Sequence, residues 1–167
     1  MPDNKITKEY GKRCEVKHNY DAYVSHGSSD RDRQFVRMLA NILEQEPFNF
    51  HLFLPDENLI DKDNNSIISE TIKHKCNRLL LVMSKDYAVD KMSDFTVNVA
   101  LDIPNCRRDR KIIPVIIDRQ CGLPVMINHL TSADFTIPEA LTWVLPRLCA
   151  ALRAPISKPS QIKRRTT

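Results

Sequence analysis

Ser25 and His26 stand side by side at the end of an apolar run, where hydrolases often place a nucleophile beside its base. No serine of the chain lies in the strained G-x-S-x-G turn that exposes such a nucleophile. Asp61-x-Asp63-x-Asn65 spaces oxygen ligands like the first half of a calcium loop. That loop needs glycine at its sixth position and glutamate at its twelfth; here those are Ser66 and Ile72, so the spacing describes a hydrated acidic loop. Cys14-x-x-x-His18 and His74-x-Cys76 offer thiol and imidazole but no paired zinc knuckles, and Cys76 suits a core thiol. With three glycines in 167 residues, neither a dinucleotide fingerprint nor a phosphate loop can be written. No cofactor and no metal is expected.

The elements that would position these groups alternate. Strands are expected at about Tyr20–Ser25, Phe50–Leu54, Leu79–Met83, Ile112–Ile117 and Ala133–Ile137. Helices are expected at about Asp32–Glu46, Ser66–Lys75, Lys91–Leu101 and Pro138–Leu152. Phe35, Leu39, Ile42 and Leu43 share one face of the first helix at helical spacing. Ile67, Ile68, Thr71 and Ile72 do so on the second, Phe95, Val99 and Leu101 on the third, and Leu141, Val144, Leu145 and Leu148 on the last. Leu79-Leu80-Leu81-Val82-Met83 is apolar at every position, as in a strand covered on both faces. Pro114 is awkward in a strand, because it removes a ladder donor. The alternation specifies an α/β domain: a flavodoxin-like, five-stranded parallel sheet with helices on both faces. The loops after strands one, two and three then share the carboxyl edge of the sheet, where such folds bind their ligands.

Residues 1–18 are polar and aperiodic, a flexible lead. Residues 19–153 form one domain, and 154–167 a basic tail expected to be disordered, with Lys158, Lys163, Arg164 and Arg165. A solubilising terminus and weak contact with an anionic membrane or nucleic acid both suit that tail. The net charge of +4 selects no partner class. No apolar run approaches the roughly 20 residues that span a bilayer, and the N-terminus lacks a secretory core. Five scattered cysteines suit reduced thiols and a cytoplasmic location.

Several segments resemble Toll/interleukin-1 receptor (TIR) domains. Tyr20-Asp21-Ala22-Tyr23-Val24-Ser25 is similar to their first box, F/Y-D-A-F/Y-I/V-S. Asn77 to Tyr87 resembles the third strand and its exit, V-V-V-S-x-x-Y/F. Lys111 to Ile116 resembles the fourth strand, which commonly carries a proline. Among TIR subfamilies, Ser93-Asp94-Phe95-Thr96 with Ala100-Leu101, and Ser66 to Cys76, resemble the myeloid differentiation primary-response adaptor. That subfamily carries a death domain ahead of its TIR domain, for which this chain has no room, implying a fragment, a short isoform or a TIR-only protein. Two boxes depart. The R-D-x-x-P-G loop reads Asp56-Glu57-Asn58-Leu59-Ile60-Asp61, and the F-W box is reduced to Trp143.

The resemblance implies a cytoplasmic innate-immune signalling adaptor, not an enzyme. It would act by association with TIR domains of receptors and adaptors and with copies of itself. The implied protein contacts are Asp56, Glu57, Asn58, Leu59, Ile60, Asp61 and Asp63 after strand two, and Lys91, Met92, Ser93 and Asp94 at the start of the third helix. Leu59 and Ile60 would form an apolar tip, or fold back on the core. An inhibitory decoy is the related alternative. NAD cleavage is the alternative of another class: enzymatic TIR domains carry W-C-x-x-E on the third helix. The best register puts Met92, Ser93, Asp94, Phe95 and Thr96 there, and Thr96 cannot act as a carboxylate.

Overall fold

The computed structural model describes residues 20–58, 64–104, 106 and 110–155. Five strands pair in parallel in the order β2-β1-β3-β4-β5, the flavodoxin-like arrangement expected. They are β1 (Tyr20–Ser25), β2 (Leu52–Phe53), β3 (Cys76–Met83), β4 (Ile112–Ile116) and β5 (Ala133–Asp134). Among helices, α1 (Asp30–Glu44) follows β1, α2 (Pro55–Asn58) follows β2, and α3 (Asn65–Glu70) continues as a π-turn over Thr71–Lys75. A 3₁₀ turn (Tyr87–Val89) and α4 (Lys91–Leu101) follow β3. After β5 come α5 (Ala140–Trp143) and α6 (Leu145–Arg153).

β3 is central, and its alternation sorts the core into two layers. Leu80 and Val82 pack with Ala22, Val24, Ile113, Val115 and the α1 and α6 side chains Leu39, Leu43 and Leu148. Leu79, Leu81 and Met83 pack on the other face with Tyr23, Ile68, Ile72, Val97 and Ala100. Successive strand side chains point to opposite faces, so a continuous apolar run serves both.

The helices begin where short polar side chains satisfy their first amides. Ser29 accepts from the Asp32 amide, Asn64 from those of Ser66 and Ile67, and Asp90 from that of Met92. The observed faces differ from expectation in places. Ile67 and Leu141 are exposed, while Phe35, Ile42, Phe95 and Leu101 are half-buried at the core margins. The last helix starts at Ala140, not Pro138, and divides at Val144. Pro146 sits in the first turn of α6; it has no amide to donate, and its ring crowds the carbonyl four residues back.

The buried Arg78 of β3 donates to the carbonyls of Leu152 at 2.9 Å and Ala154 at 2.8 Å. It joins the end of α6 to the amino end of the central strand. Among the described residues no helix is long and apolar enough to cross a membrane.

Candidate functional site

A chain of hydroxyls and one carboxylate underlies the carboxyl edge. Ser25, the last residue of β1, is buried. Its Oγ shares a short hydrogen bond with Tyr87 OH and lies 3.3 Å from Thr96 Oγ1. Thr96 in turn donates to the Ser93 carbonyl at 3.0 Å. On the other side, Ser84 Oγ donates to Asp32 Oδ2 at 2.7 Å and accepts from the Tyr87 amide at 3.2 Å. Asp32 sits in the first turn of α1, where the helix dipole favours a carboxylate, and its Oδ1 has no hydrogen-bond partner. Burial pushes the Tyr87 phenol up to about 12, against the opposing hydrogen bonds from Ser25 and Thr96. Burial likewise raises the Tyr23 phenol. Both stay protonated at neutral pH.

Gly27 makes this packing feasible. A Cβ there would lie 2.3 Å from Asp32 Oδ2 and 3.2 Å from Tyr87 Cβ. In the sequence, Ser25 ends the first box, Ser84 and Tyr87 are the serine and tyrosine of the stretch similar to V-V-V-S-x-x-Y/F, and Gly27 is a rare glycine just after a strand. Asp32 carries no motif.

His26 turns away from Ser25. Its Nδ1 lies 2.7 Å from the Gly27 carbonyl and its Nε2 3.6 Å from Asp56. Ser25 is therefore engaged by two hydroxyls rather than by a base, unlike an activated nucleophile. Arg33 also reaches Asp56, at 3.7 Å. The segment after β2 is thus tied at its root to the exit of β1.

The expected contact residues fall as follows. Asp56, Glu57 and Asn58 form the exposed α2 turn, and Asn58 Oδ1 accepts from the Leu54 amide at 2.9 Å. Leu59, Ile60, Asp61 and Asp63 lie outside the described residues. Lys91 and Asp94 are exposed and Met92 is half-buried. Ser93 departs from expectation as a contact: it is fully buried, its Oγ without a partner, because its position on α4 faces the sheet. Asp56 and Met92 line one cleft with Tyr23, Ser25, His26 and Tyr87. Its volume is about 130 Å³, below the roughly 300–1,000 Å³ of a small-molecule site.

Among the described residues no three His, Cys, Asp or Glu side chains converge for a metal. His74 is exposed, whereas Cys76 opens β3 inside the core, its thiol pushed up to about 12 by burial.

Known structures share this architecture. The TIR domain of the Toll-related receptor TRR-2 from Hydra magnipapillata superposes with a TM-score of 0.67 at 23% identity, covering 81% of this chain and 100% of that one. A TIR-STING receptor from C. gigas gives 0.63 at 20% identity, over 84% of this chain and 42% of the receptor. A prokaryotic SEFIR domain gives 0.62 at 17% identity, over 80% and 98%. Such identities speak for the fold alone. The sequence carries the family: the TIR-domain profile matches residues 23–144, a span that runs from within β1 through α5 and holds every described member of the hydroxyl chain, and so this chain belongs to the TIR-domain family.

Proposed function

We propose that this chain is a non-catalytic TIR signalling module, an adaptor in Toll-like and interleukin-1 receptor signalling that works by homotypic association. TIR domains serve signalling and immunity and commonly associate with one another. The observation that carries the reading is the shared cleft of Asp56 and Met92. It supports a contact surface shared by the segment after β2 and the start of α4, with the exposed Glu57, Lys91 and Asp94 as its charged residues. An acidic loop with Leu59 and Ile60 at its tip favours a basic partner surface. Single contacts of this kind are small, below about 1,200 Å², and clustering strengthens them through effective concentration. The adaptor subfamily of the myeloid differentiation primary response is the preferred relative, on its matches at Ser93–Thr96 and Ser66–Cys76. A decoy that occupies receptor TIR domains would use the same surface.

The family includes both non-enzymatic adaptors and NAD-cleaving enzymes. Thr96 argues for the former: it occupies the expected glutamate position, is fully buried, and binds Ser25 and Ser93.

Replacing Leu59 and Ile60 together by serine should weaken co-association with a receptor TIR domain by about 1–3 kcal/mol. The melting midpoint should barely move, since surface-loop changes usually stay within about 0.5 kcal/mol. Light-scattering titration beside a melting curve measures both. Normal binding by the double variant removes the loop from the interface; unfolding assigns both residues to the core. NAD turnover that disappears on Ser25→Ala would overturn the non-catalytic reading.

A further inference from the structure

A second cleft, of about 170 Å³, lies beside β5 and shares no residue with the cleft of Asp56 and Met92. β5 stands last in the sheet order. It pairs with β4 on one side and with no described strand on the other. Ala133 and Asp134 of β5 line the cleft together with Ser132 just before them. Ile113 of β4 and Val144 and Leu148 from the last helices give it apolar walls, and all three are buried. Ile137, which also lines it, is exposed.

The charged groups of this lining are two guanidiniums, Arg110 and Arg147, and one carboxylate, Asp134. Both arginines are exposed, and neither forms an ion pair among the described residues. Asp134 is engaged within its own turn, its Oδ1 accepting from the amide and the hydroxyl of Thr136. The next acid along the chain, Glu139, accepts the indole N–H of Trp143 at 3.3 Å. Arg110 also has a φ of 53°, a left-handed conformation that a side chain with a Cβ disfavours. The Lys111 amide holds it there by donating to the Cys106 carbonyl at 2.8 Å. Residues kept in such conformations gather at sites of binding. A glycine would suit this backbone better, yet the position carries a guanidinium that reaches the cleft.

We propose that this cleft receives an extended segment of a partner protein in which an aliphatic side chain is flanked by carboxylates. An edge strand accepts an extended segment readily: backbone hydrogen bonds hold it, and alternate side chains enter pockets beside the edge. Here the pocket is apolar and its charged groups are mainly cations. The aliphatic side chain covers Ile113, Val144 and Leu148, and the carboxylates meet Arg110 and Arg147, whose planar guanidiniums suit them. The volume is below the roughly 300–1,000 Å³ of a small-molecule site and suits a single anchoring side chain. This site needs none of the residues of the carboxyl-edge surface. A module with both would join two proteins at once.

The full chain is screened against a random dodecapeptide phage library, and the selected sequences are made as synthetic peptides with blocked ends. The selection should converge on an aliphatic residue with aspartate or glutamate close on either side. The best peptide should shift the backbone amide resonances of Ser132, Ala133 and Asp134 and leave those of Asp56, Glu57 and Asn58 in place. Replacing its aliphatic residue by glycine should weaken binding about tenfold. Arg110→Gln with Arg147→Gln should also weaken it about tenfold, each exposed ion pair contributing about threefold, with an unchanged melting midpoint. Arg110→Gly relieves the positive φ, so its midpoint should hold or rise while binding falls about threefold. The proposal is overturned if the selection yields no acidic–aliphatic peptide, or if the selected peptides move the Asp56–Asn58 amides instead. It is also overturned if both arginine variants bind the peptides as well as wild type does. Loss of self-association in the double variant, with no peptide bound by wild type, would overturn it too and assign the cleft to a second copy.

Discussion

Lys111 carries an ammonium group into the protein just before β4. It is buried and donates to the Cys76 carbonyl. Burial pushes its pKa down from 10.5 to about 8, partly offset by Cys76, with the Arg78 charge adding to the fall. The shift corresponds to about 3 kcal/mol against the charged form. Between pH 8 and 10.5 the unfolded chain holds a proton that the folded chain has released, so stability rises with pH through that window. Buried thiol and phenol act the other way, since Cys76 and Tyr87 ordinarily titrate near 9.0 and 10.0 and are raised to about 12 in the fold. The unfolded chain then loses its proton first, and stability falls above pH 9. The thiols of the unfolded chain begin to titrate between pH 8 and 9 as well, so the Lys111 contribution is read by difference. Denaturant unfolding of wild type and Lys111→Met at pH 8 and pH 9 should show a pH-dependent change about 1 kcal/mol more favourable in wild type across that window. An identical slope in the variant would mean that another group titrates there.

At the level of elements, Pro114 shows how a strand accommodates a residue without an amide hydrogen. The Leu79 amide donates to the Lys111 carbonyl and the Ile117 amide to the Met83 carbonyl, so odd positions around β4 face β3. The Ile116 carbonyl instead accepts from Phe135, on the β5 side. By this alternation Pro114 faces β5, whose pairing with β4 starts only at Val115 and Ala133. The missing donor therefore interrupts no bond to β3. Pro114→Val should change stability by less than about 1 kcal/mol, whereas Val115→Pro should cost about 3 kcal/mol or more, because it removes a donor to the central strand. Thermal melts of the two variants decide between them. Sequence suggested the difficulty but not its resolution, since the length of β5 depends on the irregular stretch before it. The same contrast holds elsewhere. α4 was legible to the residue, because Asp90 caps a helix with clear periodicity. The division of the last helix was missed because apolar spacing runs on through Pro146. At the candidate site, the carboxyl-edge location followed from the strand alternation. The burial of Ser93 did not, since a serine in a first helical turn resembles a surface residue, and the Asp32–Ser84 bond joins residues 52 positions apart.

For the molecule as a whole, the described fold leans on packing. Among the described residues Cys76, Cys121 and Cys149 are free thiols, and burial keeps Cys76 and Cys149 above their ordinary range. The thermal midpoint should be the same with and without reductant. A drop of several degrees on reduction would reveal a structural disulfide, which typically contributes about 2–4 kcal/mol. Stability then rests on two apolar layers around β3, and the register of that strand against β1 and β4 determines both at once.

The grip of Arg78 on the final helix has a consequence for how the chain comes into being. Translation delivers β3 long before Leu152 and Ala154, two of the residues whose carbonyls receive its guanidinium. Until they emerge, closing the sheet would strand a cation short of those acceptors, and an incompletely paired buried charge is strongly unfavourable. The nascent domain must therefore wait, its central strand hydrated and its apolar layers open, until residues 152–154 have left the ribosome. That interval of exposed strands is when chaperones matter most.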